Sequence, residues 1–289
     1  MSNKYLEWLQ RKGVKLFSRG GIYWRFYRGA LVPATICPIL VEISSAEAQS
    51  LLRESGAFFL QYSSMPVKVP TEWWYIVCDS YDTDKLSSKM RNQIKRGRKG
   101  YAVARIDCRW LAKHGYQCYV SAFTRYAHAR PLTAQEFQAE LMATVDGPFE
   151  HWGIFQGDQL VGYGQFIVED RDVLIDVVKF APPHLRHYCA YALYDTVLRH
   201  YVGEAGLTVN DGNRPLAHDT RMHEHLLKYG FKKLYGALNV VYQPWLKWGV
   251  SVVFPFRRAL MKAPSLRLGA TLPALLLQEE IRRQCRTAR

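Results

Sequence analysis

Between Val173 and Tyr242 the chain changes hydrophobic period four times, and no other stretch restricts its fold as much. Val173-Leu174-Ile175-Asp176-Val177-Val178-Lys179-Phe180 reads as a strand. After Pro182-Pro183 the pattern turns helical, from His184 to Tyr201. A short strand, Leu207 to Asn210, leads to a polar turn over Asp211-Gly212-Asn213-Arg214-Pro215. A second helix ends at Gly230, and a last strand leaves from Phe231. Strand, helix, strand, helix, strand in so short a span requires a sheet with helices packed on its faces.

Upstream, residues 2–12 form a short amphipathic helix, and Ile22 to Tyr27 a strand. Ser44-Ser45-Ala46-Glu47 opens a helix that Gly56 ends. Ala57 to Tyr62 and Trp73 to Cys78 are strands. Asp84 then caps a helix in which Leu86, Met90 and Ile94 make one buried stripe. Arg91, Lys95 and Arg98 share another face of it, with Arg96 and Lys99 to the side. Residues 109–128 are expected to be helical, and Thr133 with Glu136 makes a capping box for the next helix. A hairpin turns at Gly157-Asp158. After Pro244 the chain becomes Leu-rich and then Arg-rich, interrupted by Pro255, Pro264, Gly269 and Pro273, and is expected to lie apart from the core sheet. The pattern divides into an N-terminal half (1–130), a C-terminal core (131–244) and a basic amphipathic tail (245–289).

The formal charge of +14 is concentrated in two places. Residues 85–99 hold seven basic side chains and no acid; residues 245–289 hold nine basic and two acidic ones, and together these account for the whole excess. Such patches attract phosphate, whether of nucleic acid, anionic lipid or a phosphorylated cofactor. A solvated helix normally mixes signs, so the acid-free run at 85–99 favours phosphate binding over a merely solvated face. In the tail, Trp245, Trp248, Phe254 and Phe256 interleave with Arg257, Arg258 and Lys262, which suits either an anionic membrane surface or a helix packed back on its own domain. The six cysteines form no C-x-x-C pair, the N-terminus has no apolar signal region and no run is long enough to span a bilayer. The expectation is a cytoplasmic protein, with peripheral contact to the inner face of the membrane through 245–289.

Three polar positions stand out as candidate chemistry. Asp176 lies mid-strand among Leu, Ile and Val, where a carboxylate is costly unless paired; it is either a cleft-mouth residue or a base and amine anchor. Asp211 and Arg214 follow a strand's C-terminal end, where open α/β sheets place ligands, although Asp-Gly is also an ordinary turn. His218, near a helix start, is a candidate proton relay. His218, His223 and His225 do not make a metal site, since 223 and 225 point away from each other on a helix. No P-loop, G-x-S-x-G or H-E-x-x-H is present.

Taken together, "GIFQGDQLVGYGQF" and "HLLKYGFKKLY" resemble the central hairpin and the helix-Gly-Phe-strand ending of the GCN5-related N-acyltransferase superfamily. The superfamily's acyl-CoA loop would fall on Leu185, Tyr188 and Ala190, of which only Ala190 fits; Tyr188 stands where glycine normally lets backbone amides approach a pyrophosphate. The position of its usual tyrosine proton donor holds Leu226. "KLSSKMRNQIKRGRKG" and "NDGNRPLAHDTRMHEHLLKYGFKK" look like the FemAB-type branch, whose members carry two acyltransferase-like domains and transfer an amino acid from aminoacyl-tRNA to a peptidoglycan precursor. The resemblance covers roughly residues 20–244; the long coiled-coil arm of FemA-type members is missing. It implies an α/β fold with a mixed, largely antiparallel sheet flanked by helices, two such units in tandem and a helical tail. It also implies transfer of an acyl or aminoacyl group from acyl-CoA or aminoacyl-tRNA to an amine, small-molecule or cell-envelope, without metal. On that reading Arg91, Lys95, Arg96, Arg214 and Ala190 face the donor, and Asp176, Asp211 and His218 serve the amine and its proton. A second reading is a non-catalytic protein on the same scaffold that binds nucleic acid or membrane through its basic patches.

Overall fold

A computed structural model describes residues 3–64, 67–125, 130–216, 221–262 and 271–287. Helix α1 (Lys4–Arg11) opens the chain, followed by strands β1 (Leu16–Arg19), β2 (Ile22–Tyr27) and β3 (Ala30–Pro33), helix α2 (Ser45–Ser55), and strands β4 (Phe59–Ser64) and β5 (Trp74–Cys78). Next come α3 (Ser88–Gly100), β6 (Ala102–Ile106), α4 (Cys108–His114), α5 (Tyr116–Phe123) and α6 (Ala134–Met142). A meander of β7 (Phe149–Gln156), β8 (Gln159–Glu169) and β9 (Asp172–Phe180) leads to α7 (Pro182–Leu185) and α8 (Cys189–Leu198), which runs on into a π-helical turn, Arg199–Glu204. The chain closes with β10 (Thr208–Asn213), α9 (Met222–Leu227), β11 (Lys232–Tyr235), β12 (Ala237–Tyr242), α10 (Pro244–Val253), a 3-10 turn (Phe254–Phe256), α11 (Arg257–Lys262) and α12 (Thr271–Thr287).

These elements form two compact units, each assembled from separated segments: 1–12, 77–212 and 224–232 in one, 13–76, 213–223 and 233–289 in the other. The second unit is built on a five-stranded sheet ordered β1-β2-β3-β4-β12, antiparallel except where β3 meets β4. Trp24, Leu31, Leu51, Leu52 and Leu60 fill a core between this sheet and α2. The N-cap expected at Ser44 starts that helix, forming a capping box with Glu47, and Gly56 ends it in the left-handed conformation. A further cluster joins Trp73, Leu238 and Tyr242 to Val250 of α10 and Ile281 of α12. The tail thus contributes to a core rather than lying apart from it, because α12 turns an apolar side to β12. Among the described residues no helix is long and apolar enough to cross a membrane.

In the sheet ordered β11-β5-β10-β9-β8-β7-β6, the first unit carries β6 to β9 and all of β10 but its last residue. Strands β6 to β9 are antiparallel, and β10 runs parallel to β9. Tyr119, Phe137 and Leu141 pack with Tyr163 on one face, under α4, α5 and α6. The parallel ladder of β9 and β10 covers only three pairs and stops at Leu174 and Asn210, although β9 continues to Phe180 and β10 to Asn213. Beyond that point the two strands no longer pair.

Local chemistry accounts for where elements differ from expectation. Ser87, not Asp84, caps α3, since Asp84 is used in a preceding 3-10 turn. The helix expected over 109–128 breaks at Gly115, where a Cβ would lie 2.6 Å from the Leu111 carbonyl oxygen. The helix expected from His184 breaks at Tyr188, which has φ of 70°. Asp211 lies within β10 rather than in a turn.

Candidate active site

Met90 and Ile94 of helix α3, with Leu86 just before it, form the predicted stripe toward the interior, so the helix's acid-free face is left outward. Helices α3 and α8 lie side by side, and their approach depends on Gly97: a Cβ there would come within 2.5 Å of the Tyr188 carbonyl oxygen and 3.1 Å of the Ala192 nitrogen. Where the pair meets the π-turn, Arg91, Ile94, Lys95 and Arg98 of α3 line a pocket of about 340 Å³ with Arg199 and Thr83.

One carboxylate holds two of these cations. Asp195 of α8 is completely buried, and both its oxygens accept from Nε of Arg199 at 3.1 Å. Arg98 donates to it at 3.4 Å and the Tyr81 hydroxyl at 2.7 Å. Burial, then the Asp195 charge, drives the Tyr81 phenol far above its usual range, so it stays a donor. Arg91 is steadied by the carbonyls of Asp84 and Leu86 at 3.0 and 2.6 Å. With four cations around one satisfied carboxylate, the pocket keeps a net positive field, and its arginines are set for a doubly or multiply charged anion.

The start of α8 is built differently. Tyr188 occupies the left-handed conformation that glycine usually supplies, at φ 70° and ψ 24°, and no side chain caps the helix. Its ring carries the Arg96 guanidinium 4.7 Å from the centroid, and Arg96 donates to its hydroxyl at 3.3 Å. Ala190, in the first turn, is buried.

A polar line crosses the sheet near the end of the ladder between β9 and β10. His151 of β7 pairs with Gln165 of β8, whose amide NH2 donates to Asp176 Oδ2 at 2.7 Å, while its oxygen lies 2.9 Å from His151 Nε2. Asp176 has no opposite residue: Gln165 faces Val177 and Phe166 faces Ile175, which makes Asp176 a β-bulge. The bulge turns it out to an exposed position, which explains how a carboxylate is tolerated in an apolar strand. His151 is buried, and burial lowers its pKa, so it stands neutral at pH 7. Asp211 adds to the burial that raises the fully enclosed Tyr194 phenol. Tyr194 in turn packs with His225 and Tyr229, and Tyr191 packs against the same two rings.

The structure therefore groups Arg91 and Lys95 in one pocket and turns Arg96 to Tyr188. It sets Asp176 in the Gln165 line and Asp211 beside Tyr194. Arg214 belongs to the second unit, bonded to the side chain and carbonyl of Glu72 and stacked 4.8 Å from the Trp74 centroid. His218 lies outside the described residues. Asp195, Arg199 and Tyr81 were not singled out from the sequence; the i, i+4 spacing of Asp195 and Arg199 was the one available signal. Gln165 and His151 left none, because only strand register brings them to Asp176.

No protein-family model matches the sequence, and no curated protein matches it. Solved structures do. The C-terminal domain of a protein assigned as a lysylphosphatidylglycerol synthetase from Agrobacterium fabrum superposes with a TM-score of 0.57 at 10% identity, over 88% of this chain and 92% of that one. FemX matches at 0.55 and 10% identity, over 86% and 93%. L-PGS from Bacillus licheniformis matches at 0.52 and 12% identity, over 96% and 97%. At these identities the similarity is one of fold, and it agrees with the mixed α/β architecture and the FemAB-type resemblance drawn from the sequence.

Proposed function

We propose that the protein transfers an acyl or aminoacyl group from a phosphate-bearing donor to an amine. The observation that carries this reading is the pocket in which buried Asp195 holds Arg98 and Arg199 beside Arg91 and Lys95. Donor phosphates are recognised there by charge-assisted hydrogen bonds. The ladder between β9 and β10 ends at Leu174 and Asn210, and Asp176, at the β9 bulge past that point, serves the incoming amine. In the reaction, the amine nitrogen attacks the ester or thioester carbonyl, the bond to oxygen or sulfur breaks, and the amine proton leaves toward Asp176 or water. Gln165 orients Asp176, and neutral His151 orients Gln165. The fold shared with FemX and with lysylphosphatidylglycerol synthetase structures supports the class, and the FemAB-type resemblance extends it to aminoacyl-tRNA and a cell-envelope acceptor.

The test is binding followed by turnover. Purified protein is titrated with coenzyme A and with aminoacyl-tRNA, then supplied with the acylated donor and a panel of amines. Donor binding should be lost in Arg98→Ala/Arg199→Ala, and turnover but not binding in Asp176→Asn. CoA and tRNA are separated by which of the two binds. If neither binds, the transferase reading fails. Salt-sensitive tRNA binding that is indifferent to both variants would favour the non-catalytic scaffold.

A further inference from the structure

Helix α10 and the 3-10 turn after it have two apolar sides. Leu246, Val250 and Phe254 face inward, and Val250 and Phe254 are buried. Opposite them, Trp245, Trp248, Val252 and Phe256 are spaced three, four and four residues apart, which places them within about a third of the helix circumference. All four are in water: Trp245 is 62% exposed, Trp248 72%, Val252 50% and Phe256 66%. A soluble helix normally turns its polar side outward, and a contiguous apolar stripe on the surface marks a contact site.

The stripe continues beyond the helix. Trp245 meets the exposed Phe58 ring edge-on at 5.9 Å. The Phe58 ring lies against Gly29 in the β2–β3 turn, so close that a Cβ on Gly29 would be 2.8 Å from it. Tyr27, two residues before Gly29 at the end of β2, is exposed, with the guanidiniums of Arg25 and Arg28 5.2 and 5.3 Å from its ring. Residues 244–262 contain four basic residues and no acid, and Lys247 and Arg258 among them are exposed.

We infer that this surface is a membrane-docking face, and that its partner is the anionic phospholipid surface of a bilayer. Tryptophan, with an apolar body and a polar N–H, is suited to the headgroup boundary, and Val252 and Phe256 supply the part that enters the acyl region. The flanking cations match anionic headgroups and would repel a second copy presenting the same face. A nucleic acid would be served by the charges but gives no reason for an outward Val252 and Phe256 on a convex helix. The inference stands apart from the transferase reading, since none of these residues lines the donor pocket.

The experiment is flotation of the full chain with vesicles of phosphatidylcholine alone, and with vesicles of equal phosphatidylcholine and phosphatidylglycerol, read also by the tryptophan emission shift. The wild type should float with the phosphatidylglycerol vesicles and its emission should move to the blue. Trp245→Ala/Trp248→Ala should weaken binding at least about tenfold. Lys247→Gln and Arg258→Gln should each weaken it about fivefold, with a reduced salt dependence. All four positions are exposed, so folding is checked by an unchanged thermal midpoint. Undiminished flotation of the double tryptophan variant, or no flotation of the wild type, overturns the inference. So does a wild-type dimer that the tryptophan substitutions dissociate, or binding to single-stranded RNA that they abolish without any lipid binding. Donor binding in the pocket should be the same in all these variants, so the two readings fail separately.

Discussion

Replacing Asp195 by asparagine tests the centre of the proposed donor pocket with the smallest change of shape. The carboxylate is fully buried and receives Tyr81, Arg98 and Arg199. Removing one partner of a buried pair costs about 3–5 kcal/mol. Here the arginine side chains are 55% and 43% exposed and regain water when released, which reduces the cost. Asparagine keeps an acceptor for Tyr81, so what remains is the charge-assisted part, about 2 kcal/mol. For a protein of this size that lowers the melting midpoint by about 4–8 °C. Asp195→Ala, which strands Tyr81 as well, should cost about 4 kcal/mol. Affinity for the donor, CoA or tRNA, should fall about tenfold in Asp195→Asn, because Arg98 and Arg199 are no longer held in place. Differential scanning calorimetry and a binding titration measure the two effects. A melting midpoint and donor affinity both equal to wild type would refute the assignment of Asp195 as the organiser of the pocket.

Further substitutions test the frame around it. Gly97→Ala should destabilise by about 1–3 kcal/mol, since its Cβ meets backbone of α8, whereas Gly100→Ala in the same helix, with open space around it, should be neutral or mildly stabilising; urea midpoints compare them. His225, packed among tyrosines, has its pKa depressed by burial to about 4. The unfolded chain then takes up its proton first, so stability is full above about pH 6.5 and falls toward pH 4, by up to about 3 kcal/mol. His151 and His184 are lowered in the same direction, so His225→Asn should flatten the pH dependence of the urea midpoint only in part. Gln165→Leu should leave donor binding intact and reduce turnover, because Asp176 loses its orienting amide; steady-state kinetics on an amine acceptor would show a lower kcat at unchanged donor affinity.

The fold was legible where hydrophobic period and caps agree. The meander, the basic helix with its buried stripe, the N-cap at Ser44 and the capping box at Thr133 follow from spacing alone. Three residues of the candidate pocket were also readable, since Arg91, Lys95 and Arg98 share a helix face wherever that helix packs. Asp195 was not, because an aspartate in an apolar helix gives no sign of which distant donors converge on it. Tyr188 stands where glycine usually lets amides approach a pyrophosphate; the chain adopts the left-handed conformation there all the same, with the ring engaged by Arg96. Asp176 needed the bulge, and a bulge is a matter of register between strands, which no single strand encodes.

The interleaving of the two units has a consequence for how the chain is made. Strand β4 pairs with β12, and the bond between Ser64 and Asn239 spans 175 residues of sequence. At ribosomal speeds of about 5–20 residues per second, β4 waits roughly 9–35 s for that partner. During that interval its edge is an open template for other chains. The first unit also waits, since it closes only with residues 224–232. The second unit cannot be completed without β12, so truncation before residue 237 should leave that edge of β4 unpaired and yield insoluble protein. Synthesis in the cell would then depend on holding β4 unpaired until the last strand of its sheet has emerged.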